Sequence, residues 1–470
     1  MMLYAIIQNL QFFFYAKGAG ATSEKRFWSD TFVSLSSYLT VDFYVTNKTD
    51  AIGLQSIMPR LLFQRHPANA HHIGGPVPFL NPTKAYVETE KGIVQTTASS
   101  TDESAKPGNN GTASGKADAV PGVYYHLWRS RDNRKGRHAV IVRPDDQTDK
   151  HNAVSHPDAS KSIKEVLRGL GKMLVRYPFW DVSYDVAVLF TIGSIVWVFN
   201  GFFVWLPLYA PSTEFSGEVD LGGGITAFIG ATIFEIGSVL LMFEAVNENR
   251  TQCFGWALEE VLESRGTVRL HPDPDGCTHH HSEKRSLIAR QVAGGNTDRE
   301  WEWCPTWEEL NTHYLHEIGF LACLSQFTGA TIFWIAGLTG LPPIYANLSI
   351  PAANGVYWLP QVVGGTGFII SGYLFMLETQ PNWWRPAFGT LGWHIGFWNL
   401  LGAIGFTLCG ALGFASGNET AAYASTLFTY IGSWAFLLGS VIQWYESLDK
   451  FPIAVKKGKF GKAGNLEEKS

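Results

Sequence analysis

One carboxylate and two amides stand where membrane-spanning helices would otherwise be apolar: Glu235, Gln326 and Asn399. An ionisable group near a bilayer centre costs about 2.5–3.5 kcal/mol on insertion scales, so it needs a compensating partner. With no Lys or Arg nearby, Glu235 is expected to be protonated, bonded to an amide or bound to a cation. At 1.5 Å per residue it lies about 13 Å from Glu244, at the end of the same helix. Gln326 and Asn399 each precede a glycine by three residues (Gly329 and Gly402), which makes them equivalents of one another. The expectation is that Glu235, Gln326 and Asn399 converge on one polar site, with Asn200 and Gln361 nearer the other face. Such a site suits a proton, cation or small-solute path. The plainer alternative is a neutral, hydrogen-bonded contact between helices.

Glu244, Glu378 and Glu446 form a second set, each near the C-terminal end of an apolar helix. A carboxylate there opposes the helix dipole, so each needs a partner. Asp181, Asp185, His316, Glu317 and His394 are expected at that level. The set is either a group of structural pairs or an acidic ring that binds cations or protons. A third group is His271, Asp273, Asp275, Cys277, His279, His280 and His281 in one hydrophilic loop. These are ligand types that transition metals favour. No CxxC or HExxH spacing gives them a geometry, so Cys277 and His279–His281 are weak metal candidates and no cofactor is expected. No nucleophile–base constellation is visible, and the reading is that the chain is not an enzyme.

The elements that must hold these residues follow from hydropathy. The mean over 470 residues is near zero, but it averages a polar region, 17–175, with an apolar, glycine-rich one, 184–446. A span needs about 20 apolar residues. Six segments qualify: Val186–Leu208, Gly224–Phe243, Ile318–Leu341, Val356–Leu377, Leu391–Phe414 and Tyr423–Tyr445. No Lys or Arg occurs between Arg176 and Arg250, between Arg299 and Arg385, or between Arg385 and Lys450. The fold class is therefore an all-α membrane protein with six transmembrane helices in three tandem hairpins. Positive charge falls on one side only, in every second connection: Lys164, Arg168, Lys172 and Arg176, then Arg250 and Lys284, then Arg385, then Lys450 and Lys456, while 209–223, 342–355 and 415–422 carry none. That bias places both termini in the cytosol, with plasma membrane or endomembrane left open. Sequons at Asn347 and Asn418 fall on the exoplasmic side; those at Asn47 and Asn110 would be cytosolic. A net charge of −5 gives no case for nucleic acid. The expected partner is the lipid bilayer, with oligomeric state open.

Paired helices reveal an internal repeat. The even spans read Gly230, Ala231, Phe234, Gly237, Ser238, Glu244; then Gly364, Gly365, Phe368, Ser371, Gly372, Glu378; then Gly432, Ser433, Phe436, Gly439, Ser440, Glu446. The odd spans read Gly193, Ser194, Trp197, Gly201; then Gly329, Ala330, Phe333, Gly337; then Gly402, Ala403, Phe406, Gly410. Lipid offers no hydrophobic drive between helices, so small residues that let backbones approach are the packing code. Glu235 lies roughly opposite the small-residue stripe on its helix and breaks the pattern, since Ile369 and Leu437 replace it in the later copies.

These residues resemble a known arrangement. A first helix with Gly-Ser and an aromatic, then a second with Phe-x-x-Gly-Ser, is similar to the small bacterial YrhK-like hairpin. Three such hairpins, with Trp-His-Ile-Gly-Phe-Trp-Asn at 393–399 and Gln-Trp-Tyr-Glu-Ser-Leu-Asp-Lys at 443–450, resemble an uncharacterised fungal family of integral membrane proteins. The resemblance spans about 170–455 and implies an architecture without an activity. The Pro-x-Asp/Glu-x-x-Lys/Arg signature of mitochondrial carriers is absent from the odd spans, which rejects that family.

The expected organisation is a cytosolic region 1–160, disordered by composition around 97–120, and an interfacial amphipathic helix at 161–177. Hairpins follow at 178–246, 316–378 and 391–446, with a cytosolic loop at 247–315 and a basic tail at 447–470. Met2–Ala16 is too short to span and lacks a basic flank, so it is not read as a cleaved signal. A helix is expected near Phe254–Glu263, and Trp301, Trp303 and Trp307 read as interface anchors. Two β-rich runs around Tyr124–Val142 flank Asp132-Asn-Arg-Lys-Gly136, the pattern of a β-hairpin. A transporter or channel for a proton, cation or small solute is the first functional reading; a non-transporting scaffold or sensor is the second. A water-lined cavity touching Glu235 would favour the first, and a dry, close-packed bundle the second.

Overall fold

The computed structural model describes residues 70–88, 122–137, 139–144, 159–248, 250–255 and 301–455. The segments 2–16 and 97–120, the loop histidines with Cys277, Asn47 and Asn110, and most of the helix expected at 254–263 lie outside them.

Helices of eight or more residues are numbered here. An amphipathic helix, α1 (Ile163–Val175), precedes six long ones: α2 (Val182–Tyr209), α3 (Gly224–Val246), α4 (Ile318–Thr339), α5 (Leu359–Thr379), α6 (Leu391–Gly413) and α7 (Glu419–Ser447). Among the described residues these six are the ones long and apolar enough to cross a membrane, and the chain is a polytopic membrane protein. Helices are the natural answer in hydrocarbon, because each satisfies its own backbone groups. Two rods run longer than hydropathy alone suggests. π-Helical turns at Glu218–Gly223 and Asn354–Trp358 lead into α3 and α5. By hydropathy the corresponding spans begin only at Gly224 and Val356.

The six helices pack in a ring in chain order, and α7 closes it against α2. Small residues stand at the contacts, as the packing code requires. A Cβ on Gly329 would lie 2.8 Å from the carbonyl oxygen of Gly364, and one on Gly432 would lie 3.0 Å from that of Gly402. The other eleven glycines of the pattern also abut a neighbouring helix within 3.4 Å of such a Cβ. Large apolar residues such as Ile195, Ile229, Ile370, Leu401 and Leu438 are exposed on the outside, where a bilayer would cover them.

The axis of the ring is filled by rings. Trp197, Phe333 and Phe406 touch one another edge-on or tilted at 4.8–5.8 Å between centroids. Phe234, Phe368 and Phe436 close around them, with Phe436 5.6 Å from Phe234 and 5.3 Å from Phe406. All six are buried. The large ring four residues after each glycine thus fills the space that the close helix contacts leave on the axis.

One end of the ring carries a β-sheet, which qualifies the all-α expectation. Its strands are β1 (Ala70–Gly74), β2 (Lys84–Glu88), β3 (Gly122–Arg129), β4 (Ala139–Pro144) and β5 (Ile453–Val455), in the order β1-β2-β3-β4-β5. The first four pair antiparallel; β5 runs parallel to β4, with Val140 opposite Ile453. The expected hairpin is therefore present as β3 and β4. Its connection is a correction, since Ser130–Arg134 forms a helical turn rather than a tight hairpin turn. Lys135 and Gly136 donate back to Arg131 and Asn133, and Gly136, at φ +60°, takes the left-handed conformation that ends the turn.

On α1, Ser162 accepts from the backbone N–H of Glu165 and caps the helix. Ile163, Leu167, Leu170 and Leu174 are exposed, while Met173 packs against Tyr184 and Leu448. Trp307 is exposed, as an anchor would be; Trp301 and Trp303 instead pack with Phe254.

Candidate functional site

The helical turn between β3 and β4 enters the open end of the ring. Its residues Arg131, Arg134 and Lys135, with Arg137 just after them, are all buried. They meet the three carboxylates that the sequence pattern aligns. Arg134 bridges two helices, with Nη1 2.7 Å from Glu244 Oε1 and Nη2 2.7 Å from Glu378 Oε2. Lys135 Nζ lies 3.2 Å from the other oxygen of Glu244. Arg131 pairs with Glu446, and Arg137 reaches both Glu446 at 2.9 Å and Asp132 at 3.0 Å. Ser130 donates to Glu378 at 3.2 Å. Four basic side chains thus face four carboxylates in one buried cluster.

Two glycines make room for this insertion. Gly319 and Gly392 are the second residues of α4 and α6. A Cβ at Gly319 would lie 2.9 Å from Arg134 Nε and overlap Glu378; one at Gly392 would overlap Arg131 Nε. Outside the ring the turn is tied down twice more. Lys450 donates to the carbonyl of Lys135 at 2.8 Å and pairs with Asp181 at 2.7 Å. Asn133 donates to Glu248 at 2.8 Å.

Burial works against the charge on each cation, and the partners decide the outcome. For Arg134, Glu378 and Glu244 outweigh desolvation, so its pKa is raised. Glu446 and Asp132 do the same for Arg137. Lys135 goes the other way: desolvation, helped by the nearby Arg131 and Arg134, outweighs Glu244 and lowers its pKa.

Between the ionic cluster and the aromatic layer lies an axial chamber. It offers about 30 Å³ to the centres of water-sized molecules, room for two or three waters at roughly 10–15 Å³ each. Every one of the six helices contributes to its wall. The polar lining is Ser194, Gln326, Ser371, Asn399, Ser440 and Gln443; Arg131, Arg134 and Lys135 form the roof. Ser371 is fully buried and its hydroxyl has no partner among the described residues.

The convergence expected of Glu235, Gln326, Asn399 and Asn200 is half met. Gln326 and Asn399 line the chamber together. Glu235 does not. Phe234, one residue before it, points to the axis, and a step of one residue turns Glu235 toward α4, where Thr331 donates to it at 2.9 Å. Asn200 is spent near the opposite end, donating to the Gly223 carbonyl and to Thr226. Gln361 accepts from Cys409 there. The partners expected for the acidic set were also different. Asp181 pairs with Lys450, and His394 bonds the carbonyl of Phe388. The three glutamates take their cations from a segment far away in the chain, because helix-start residues of the ring carry none.

Arg131, Arg134, Lys135, Arg137, Gly319, Gly392, Ser371 and Gln443 were missed as site residues. A signal existed for two: Gly319 and Gly392 both stand ten residues before a packing glycine. For a metal, Glu248, His313 and Glu317 bring ligand atoms within 4.8 Å of one another among the described residues. His313 Nε2 already lies 2.9 Å from Glu317, a side-chain contact that accounts for that grouping without an ion. Comparison with family models, with curated proteins and with solved structures finds no match in any of the three.

Proposed function

We propose that this polytopic membrane protein is a transporter or channel for a small polar solute, held closed by its own N-terminal basic turn. The observation that carries this reading is the axial chamber, walled by all six helices and bounded by an ionic layer above and an aromatic layer below. A site at the middle of a ring, closed on both sides, is the arrangement that alternating access needs. The positive-inside bias puts the sheet end in the cytosol, so the basic turn would be a cytosolic gate, with α1 lying in the interface beside it. The likeness to three YrhK-like hairpins agrees with this architecture and adds no substrate.

A specific observation favours the second reading, a non-transporting scaffold or sensor: six buried aromatic rings close the axis. Proteoliposome flux separates the two. Wild-type protein should move a small solute above empty-vesicle background, and Trp197→Ala, which thins the aromatic layer, should move it faster. Absence of flux from both would favour the scaffold. Orientation has its own test, since Gly417→Cys, at the far end with open space around it, should react with an impermeant maleimide on intact cells.

Glu235 supplies a third expected result. Glu235→Gln keeps an acceptor for Thr331 and removes no charge from the chamber. Its stability should stay within about 0.5 kcal/mol of wild type, and its flux should be unchanged. A loss of flux in this variant would return the path to the α3–α4 contact.

A further inference from the structure

We infer that the axial chamber is a binding site for a small inorganic anion of about the size of chloride. The inference rests on the transport reading in that it names the solute of that site; its chemistry stands on the lining.

The lining is unbalanced in sign. Arg131, Arg134 and Lys135 face the chamber, whereas Glu244, Glu378 and Glu446 do not reach its wall. Donors also exceed committed acceptors. Ser371 is fully buried with a hydroxyl that bonds nothing, and Gln443 is 7% exposed. Gln326, Asn399 and Gln443 have no hydrogen-bond partner among the described residues, so three amide NH₂ groups are free to turn inward. Leaving such groups unpaired is unfavourable, and a bound ligand recovers that cost. Ser194 and Ser440 differ, since their protons go to Phe190 and Leu437 in their own helices.

Size and charge then select the occupant. A volume of about 30 Å³ suits a small, compact ion. A metal cation would find amide and hydroxyl oxygens in the wall and none of the carboxylates that hard cations favour. An anion finds amide N–H donors, a serine O–H and a cationic roof. Such charge-assisted hydrogen bonds are roughly twice as strong as neutral ones.

The test uses the full chain, with chloride and bromide as probes. In crystals grown with bromide, an anomalous peak should sit in the chamber beside Gln443 and Ser371. In solution, chloride should raise the unfolding temperature over gluconate at equal ionic strength. Gln443→Leu should weaken that chloride dependence at least tenfold, and Ser371→Ala gives the same readout if Gln443→Leu does not fold. Bromide found only at exposed lysines, with no chloride-dependent shift, would overturn the inference and leave the chamber to water. Binding in the chamber without chloride flux in proteoliposomes would uphold the site and reject transport. Flux of another solute with an anion-free chamber would uphold transport and reject the anion.

Discussion

Replacing Arg134 with methionine should destabilise the protein by about 3–5 kcal/mol, the range for breaking a buried ion pair by removing one partner. Arg134 bridges two helices, α3 through Glu244 and α5 through Glu378. Without it Glu378 keeps only the Ser130 hydroxyl and Glu244 only Lys135, the cation whose charge burial already weakens. The thermal midpoint reads the loss. A second readout locates it: Cys323 is buried with its sulfur 3.8 Å from Arg134 Nη1. Maleimide labelling of Cys323, scored by peptide mass, should rise from protected to reactive as the turn leaves the ring. Lys135→Met should do far less, because Glu244 retains Arg134. Adding Glu244→Gln and Glu378→Gln to Arg134→Met should recover much of the stability, since the uncompensated charges are then gone. If Arg134→Met alone melts like wild type, the ionic layer is not what holds the turn in place.

The second large effect is expected at Gly364. A Cβ there would lie 2.6 Å from the carbonyl oxygen of Gly329 and 2.8 Å from the backbone nitrogen of Phe333. Both are main-chain atoms of α4 and cannot swing aside. Gly364→Leu must therefore push α4 and α5 apart, which also pulls Phe333 from Phe368 in the aromatic layer, now 5.7 Å between centroids. Overpacking ordinarily costs about 1–3 kcal/mol, and a backbone clash between two spans should exceed that range. Gly237→Ala is the graded comparison, since its Cβ would rest 3.4 Å from the Phe190 ring, and Gly355→Ala meets nothing within 4 Å. Thermal midpoints in detergent should fall in the order Gly355→Ala, Gly237→Ala, Gly364→Leu, from little changed to largest loss. Equal melting of all three would mean that the glycines reflect lipid-facing thinness rather than helix contact.

The two predictions concern layers of different legibility. The glycine and aromatic positions could be read in advance because helix packing in lipid is local in its rules: a small residue on a stripe of fixed period must face another helix. What that pattern left open was which ring atoms meet, and the meeting of Trp197 with Phe333 and Phe406 on a common axis needed the closed ring. Glu235 shows the limit from the other side. Its rarity in an apolar span was visible, but its direction was not, and one residue of rotation separates the axis from the α3–α4 contact.

By itself, then, the sequence determined that this chain has six membrane-length helices, where their small faces lie, and that Glu244, Glu378 and Glu446 needed partners. Hydropathy and helical period act over a few turns, so they leave their mark in adjacent residues. The tertiary structure alone decided that the partners are Arg131, Arg134, Lys135 and Arg137, brought from 109 or more positions away by a β-hairpin whose sheet the C-terminal strand completes. It alone decided, too, that Gln326, Asn399, Ser371 and Gln443 share one chamber while Glu235 stays outside it. Ion pairs and cavities depend on distance in space, and closing the ring is what turns residues scattered over four helices into neighbours.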